Sequence, residues 1–339
     1  NILAQRATAR VQDFEQLYAR HYLNYSALND RYASIGEVGS MLVISYDAFA
    51  SAAQPFVAWK NQLGIPTTLV NVSAIGATGA QIKTYIQNLY DTSDLAFIVL
   101  VGDAAQVPYY NNGGASDPSY AFLAGADNYP DAFVGRLSAE TLAQVETQVT
   151  RSIEYERDAQ SAAAWYPQGV GIASSQGAGI GDDGEADYVH MDVIRGKLLG
   201  FTYNQVDQIY ATNGGTAAMV SNAVNAGRGI INYCGHGSLT TWVTTGFSNT
   251  HVDALTNDNK LPFIVSVACN NGEFQSGTCF AEAWLRATSG GEPTGAVGMY
   301  ASTISMSWAP PMCGQDEIID LLVGNEKRSL GGLYFNGAC

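Results

Sequence analysis

The chain has 339 residues, enough for about two domains or one large domain with two halves, and enough to bury a substantial core. With 16 Lys and Arg against 31 Asp and Glu, its net charge of −15 argues against a nucleic-acid partner, because phosphate binding draws on clustered basic residues. A surface this acidic suits cationic substrates, divalent cations, or the solubility of a secreted protein.

A hydrophobic content of 47% with 14% charged residues fits a well-packed globule, and no apolar run is long enough to span a membrane. The chain opens on Asn1 without a signal-peptide pattern, as expected for a processed form or a cut piece of a longer chain. The 36 glycines against ten prolines point to many tight strand-to-helix turns. Five cysteines are an odd number, so at least one is unpaired within the chain. Cys269 is the expected free thiol, and Cys234, Cys279, Cys313 and Cys339 allow up to two bridges.

In chain order, Val11, Phe14, Leu17, Tyr18 and Tyr22 stand at helical spacing and predict an amphipathic helix over 10–28. The pattern then alternates. Strands are expected at 41–46, 67–72, 95–103 and 131–137, with helices at 50–62, 79–90 and 139–157. The second half repeats the alternation, with strands near 169–174, 205–210, 229–233, 262–268 and 294–301. Its helices fall near 186–199, 216–226, 249–257, 279–288 and 314–323. Strands alternating with helices mean βαβ crossovers and an α/β fold with mainly parallel sheets. The expected organisation is a helical segment over 1–38, an α/β subdomain over 39–138, and a catalytic α/β subdomain over 139–339.

Two stretches share a design. Gly229-Ile-Ile-Asn-Tyr-Cys-Gly-His236 and Pro262-Phe-Ile-Val-Ser-Val-Ala-Cys269 are short buried-strand runs that end on a reactive side chain and turn residues. Both would place that side chain at a strand carboxyl end, the edge where open α/β sheets do chemistry. If the strands are neighbours, the thiol of Cys269 faces the imidazole of His236 as a nucleophile faces its base. The competing plain reading of Cys269 is a small hydrophobe ending a core strand. Cys234, two residues before His236, leaves a zinc site open as an alternative, although structural zinc wants four closely placed ligands.

The spaced motifs His236-Gly-Ser-Leu-Thr-Thr-Trp242, Leu261 through Phe274, Cys279-Phe-Ala-Glu-Ala283, Ala301-Ser-Thr-Ile304 and Ser307-Trp308 closely resemble the gingipains, cysteine peptidases of family C25, and the arginine-specific branch above all. The resemblance implies a caspase-like three-layer α/β/α fold with two stacked subdomains, and a secreted or cell-surface endopeptidase cleaving after arginine. It implies Cys269 as nucleophile, His236 as general base, and the N–H groups of Gly237 and Cys269 as the oxyanion hole. It also implies Asp187 at the floor of the P1 pocket, where a carboxylate can take a guanidinium bidentately, and Trp308 as the aromatic cover of the P1 side chain. Read without the resemblance, Asp187 is a helix N-cap or first-turn acid, and Trp308 is core.

The pattern departs from that family at Gln176, which stands where the gingipains carry the acid that orients the histidine. A glutamine oxygen still accepts the Nδ1–H bond but lends the imidazolium no charge. An inactive peptide-binding relative, or a transpeptidase using the same acyl-enzyme, therefore stays open. Cys234 and Met306 stand at positions where the relatives carry other pocket residues, with Val267 beside them, so the P1 wall also differs. Finally, Asp127-Asn-Tyr-Pro-Asp131 matches a calcium loop of that family, with Asp127, Tyr129 and Asp131 as candidate ligands. The competing reading is an acidic turn ahead of a strand. His190 and His251 read as ordinary.

Overall fold

The computed structural model describes residues 35–338, and the expected helix at 10–28 lies outside them. Nine strands build two parallel sheets. The first has the order β2–β1–β3–β4, with β1 Ser40–Ser45, β2 Thr67–Asn71, β3 Leu95–Val101 and β4 Phe133–Leu137. The second has the order β9–β8–β7–β5–β6, with β5 Gln168–Ala173, β6 Gln205–Tyr210, β7 Ile230–Cys234, β8 Phe263–Val267 and β9 Gly298–Ala301. The expected α/β, caspase-like arrangement of mainly parallel sheets is thus borne out.

Period-two alternation assigns the faces of each strand. In β1, Leu42 and Ile44 face one hydrophobic cluster with Ile82 and Ile86 of helix α2 (Gly79–Thr92). Met41 and Val43 face the other, with Phe56 and Val57 of α1 (Ala50–Gln62) and Val145 and Val149 of α3 (Leu142–Arg157). In the second sheet, Ile231, Tyr233 and Ile264 meet α5 (Ala217–Ala226) and α6 (Phe280–Arg286). Ile230, Cys234 and Val265 meet α4 (Asp187–Gly200), α7 (Ala309–Val323) and α8 (Leu330–Gly337). Side-chain caps set helix starts: Thr78, Thr141 and Thr216 each accept the backbone N–H three residues on.

Buried polar groups lock the two sheets together. Arg286 of α6 reaches Asp103 at 3.1 Å and Glu282 at 2.6 Å, and Glu282 also accepts from Ser138 at 2.5 Å. Arg151 of α3 donates to the carbonyls of Ala287 and Thr294. Residues just ahead of β1 return to the far end of the chain, where the Ile35 amide donates to Asn336 and Glu37 accepts from the Ser329 amide.

Several expected boundaries moved. Helix α7 begins at Ala309, five residues before the predicted start, because its prolines occupy the first turn, where no N–H is needed. The last strand is shorter than predicted, starting at Gly298 after the small Thr288–Pro293 hairpin. Helix α8 was not predicted, because Gly331 and Gly332 hide its periodicity. The bridges that the cysteine count allowed are not formed among the described residues: Cys269 is free as expected, and Cys234, Cys279 and Cys313 are free as well, spread over β7, the start of α6 and α7. Cys339 lies outside the described residues.

Candidate active site

The site is assembled at the carboxyl ends of three adjacent strands. Gln176 follows β5, His236 follows β7 and Cys269 follows β8, and β7 pairs in parallel with both of the others. The expected neighbouring of the thiol and imidazole strands is therefore present, with Val267 directly beside Cys234 in the register.

A polar relay holds the two turns in place. Trp242 donates to Ser266 at 2.9 Å, Ser266 donates to Asn271 at 3.0 Å, and Asn271 donates to the Ser238 carbonyl at 2.7 Å. This chain ties the nucleophile turn to the hairpin that follows His236. The Tyr233 hydroxyl donates to the His236 carbonyl at 2.7 Å, and its ring stacks on Trp242 at 4.8 Å. Burial pushes the Tyr233 hydroxyl far above its ordinary ionisation range, so it remains a donor. None of these residues was singled out from the sequence. An Asn directly after the Cys269-Asn270 pair was the one available signal.

Gly237 lies against Cys269. A Cβ built on it would sit 2.4 Å from the Cys269 carbonyl oxygen and 2.8 Å from the Ala268 Cβ, so only glycine permits this approach. The next residue, Asn270, turns into the left-handed region at φ 59°, as a sharp strand-ending turn requires. The Cys269 sulfur accepts from the Met306 amide at 3.4 Å, and the Met306 carbonyl lies 3.8 Å away. Met306 thus meets the thiol through its backbone. The loop that carries Met306 is braced by the Asn270 amide on the Ile304 carbonyl and by Thr303 on the Ala115 carbonyl of the first half.

One expectation is corrected. Gln176 Oε1 lies 2.8 Å from Nε2 of His236, not from Nδ1. Gln176 stands on the neighbouring strand's exit loop, within reach of Nε2, and among the described residues Nδ1 takes no hydrogen bond. Gln176 itself is fixed at its backbone, where its amide donates to Ser174 and its carbonyl accepts from the Asp187 amide.

Asp187 is the first residue of α4, as the first-turn reading expected, and its carboxylate is fully buried. Trp308 donates its indole N–H to Oδ1 at 2.7 Å, the Ser174 hydroxyl donates to Oδ2, and the Cys234 thiol lies near enough to feel its charge. Burial, then the Asp187 charge, raises the Cys234 thiol well above its usual range, so it stays protonated. Among the described residues these partners are all neutral, and the carboxylate forms no ion pair with Lys, Arg or His. Gly177, at φ 87°, is required here because a Cβ would lie 2.5 Å from Asp187 Oδ1 and 2.7 Å from the indole nitrogen. The Trp308 ring also meets His236 edge-on at 5.1 Å. The half-buried indole thus touches both His236 and Asp187.

Far from this cluster, Asp127 and Asp131 stand ahead of β4. Asp131 Oδ2 accepts the amides of Leu123 and Ala124, and Asp127 Oδ1 accepts the Tyr129 amide. His251 caps a short helix through Ser248, as an ordinary residue does. His190 is not ordinary, since it bridges α4 and α7.

A parallel α/β core with a thiol and an imidazole on adjoining strand ends defines a thiol–imidazole site of the peptidase kind. The family comparison gives it a place: the model of Peptidase family C25 matches residues 35–339, and the chain belongs to that family. It is 39% identical to Gingipain R2 of Porphyromonas gingivalis over 334 residues, covering 96% of this chain and 45% of that protein. It is 39% identical to Gingipain R1 of the same organism, covering 99% of this chain and 35% of that protein. The chain therefore spans less than half the length of these curated relatives. The crystal structure of the Arg-specific cysteine proteinase gingipain R superimposes with a TM-score of 0.88 at 40% identity, covering 90% of this chain and 73% of that one. A Lys-gingipain matches more thinly, at 25% identity over 260 residues.

Proposed function

We propose that the chain is a cysteine endopeptidase that cleaves peptide bonds after arginine. The observation that supports this best is the buried Asp187 carboxylate, held by neutral donors alone and joined through Trp308 to His236. A guanidinium supplies the missing charge and matches a carboxylate with two parallel N–H bonds, as an ammonium does not.

In this reading His236 Nδ1 takes the proton of the Cys269 thiol, and the sulfur attacks the scissile carbonyl carbon. The carbonyl electron pair moves to oxygen, and the N–H groups of Gly237 and Cys269 stabilise the oxyanion. The imidazolium then protonates the departing amine as the C–N bond breaks, leaving a thioester on Cys269. Water, losing a proton to Nδ1, attacks the thioester and releases the acid and the thiol. Gln176 accepts from Nε2–H throughout and keeps the ring in that tautomer.

The donor set near residue 130 suits a hard cation in part. Each of Asp127 and Asp131 commits one oxygen to backbone amides, and Asp127 helps raise the Asp131 carboxyl above its ordinary range, after burial. The second oxygens of both, with the Tyr129 carbonyl, would hold calcium, with waters completing the shell. We place the protein outside the cell or on its surface, in keeping with its acidic charge. Among the described residues no helix is long and apolar enough to cross a membrane.

The test is kcat/KM on paired peptides differing only in Arg or Lys at P1, for the wild type, Cys269→Ala and Asp187→Asn. Arginine preference lost in Asp187→Asn and turnover lost in Cys269→Ala are expected. Wild-type turnover by Cys269→Ala would overturn the reading, and stoichiometric thiol labelling without turnover would point to an inactive relative.

A further inference from the structure

His190 is 1% exposed and stands one turn after Asp187 on α4. Its Nε2 lies 3.2 Å from Oε1 of Gln315 on α7. Its Nδ1 lies 3.2 Å from Oε1 of Glu185 and 3.5 Å from Oδ2 of Asp316. At its other end Gln315 Nε2 donates to Oδ1 of Asn232 on β7 at 3.0 Å and faces the Val265 carbonyl of β8 at 3.5 Å, a backbone acceptor that favours this orientation over its flip. The oxygen of Gln315 is therefore the end that faces the ring.

Both ring nitrogens thus face acceptors. A neutral imidazole has one donor and one acceptor nitrogen, so either tautomer would set a lone pair against an oxygen. Only the doubly protonated ring donates on both sides. The elements it joins are those that build the P1 pocket: Glu185 and α4 carry Asp187, α7 follows Trp308, and Asn232 precedes Cys234 and His236 on one strand and its exit turn.

Resting on the arginine-directed reading above, we propose that His190 is a positioning residue for the P1 pocket, an imidazolium that clasps the Asp187-bearing segment to the Trp308-bearing helix. Loss of its proton loosens P1 recognition without touching the scissile bond. The charged and titratable groups around it agree with this. Glu185 and Asp316 face it directly, and Lys197 pairs with Asp316 at 3.3 Å and Asp320 at 2.9 Å. Burial raises the Asp316 carboxyl, and the His190 charge is the first force opposing that rise. In a neutral ring one of these contacts would set a lone pair against an oxygen, and α4 and α7 would lose their shared donor.

Two measurements test this. The first is the ring nitrogen spectrum of histidine-labelled Cys269→Ala protein, with His190 assigned among the four histidines by difference from a His190→Gln sample. Two protonated nitrogens near neutrality are expected, and a single protonated nitrogen overturns the proposal. The second is kinetic. His190→Gln should raise KM for an arginyl peptide about tenfold, the scale of a misplaced positioning contact, while kcat changes little. An unchanged KM, or a kcat that falls as far as KM rises, overturns the proposal. A wild type that turns over no arginyl peptide contradicts the peptidase reading instead, and the ring spectrum still decides the protonation of His190.

Discussion

The indole N–H of Trp308 donates to Oδ1 of Asp187 at 2.7 Å, so the carboxylate assigned to the P1 guanidinium is already engaged by the aromatic side chain assigned to cover it. An arginine side chain must share or displace that donor. Trp308→Phe keeps an aromatic face but removes the N–H. In the free protein this leaves a buried carboxylate one partner short, at a cost of about 1–3 kcal/mol in folding stability. In the complex the guanidinium no longer competes. We expect a lower melting temperature with a lower KM for arginyl peptides, read by calorimetry and steady-state kinetics. A raised KM would mean that the indole donor stays on Asp187 when arginine is bound.

Gln176 and His236 give a second prediction, because their 2.8 Å contact fixes the ring without lending it charge. Gln176→Ala removes the only acceptor seen at Nε2 among the described residues and should lower kcat/KM by about a hundredfold, the scale of a mispositioned general base. Gln176→Glu keeps the acceptor and adds a negative charge, which favours the imidazolium. The acid limb of its kcat/KM profile should move to higher pH. A profile that superimposes on the wild type would show that Gln176 does not act on the ring.

Much of this arrangement was legible because the central strands announce themselves. The runs ending at Cys234 and Val267 are buried throughout and apolar except at Asn232 and Ser266, since a parallel strand is covered on both faces, and glycine or asparagine turns mark their ends. What escaped was tertiary. The strands Gly237–Ser238 and Thr241–Trp242 are two residues each, too short for any period. The nitrogen of His236 that meets Gln176 depends on where a neighbouring strand's exit loop falls. His190 reads as ordinary in its helix because its partners Gln315 and Asp316 are 125 residues or more away in sequence.

Gly237 offers a steric test of the oxyanion assignment. The Cβ of Gly237→Ala would fall 2.4 Å from the Cys269 carbonyl oxygen, which is backbone and cannot swing aside. The turn must shift, and both assigned oxyanion donors shift with it. Loss of one such donor lowers kcat by about 10²–10³-fold. We expect that loss with Cys269 still open to alkylation, measured by burst titration and mass spectrometry. Unimpaired kcat would remove Gly237 from the oxyanion hole.

The four described thiols should differ sharply in reactivity. Burial raises the Cys234 and Cys279 thiols, and the nearby carboxylates of Asp187 and Glu282 raise them further. Since the thiolate is the reacting species, both should resist alkylation in the native state. Cys269 is half-buried at the site and Cys313 is exposed, although burial and Asp182 raise the Cys313 thiol. Peptide mapping after brief iodoacetamide treatment should show Cys269 modified first, with Cys313 slower and Cys234 and Cys279 untouched. Early modification of Cys234 would mean that the pocket behind Asp187 opens in solution.

The acidic turn ahead of β4 yields the last prediction. Burial raises the Asp131 carboxyl above its usual range, and Asp127 adds to that rise. A carboxyl whose folded-state pKa exceeds its unfolded value disfavours folding at neutral pH, where both states are ionised. That penalty fades as pH falls through the raised value and the native state takes up its proton first. A bound cation removes the same penalty at neutral pH. Calcium should therefore raise the melting temperature near neutrality, chelator should reverse the gain, and the gain should shrink as acid protonates Asp131. Asp131→Asn should abolish the calcium response while still accepting the Leu123 and Ala124 amides through its remaining carbonyl oxygen. A melting temperature indifferent to calcium and chelator across this range would leave the segment as an acidic turn and nothing more.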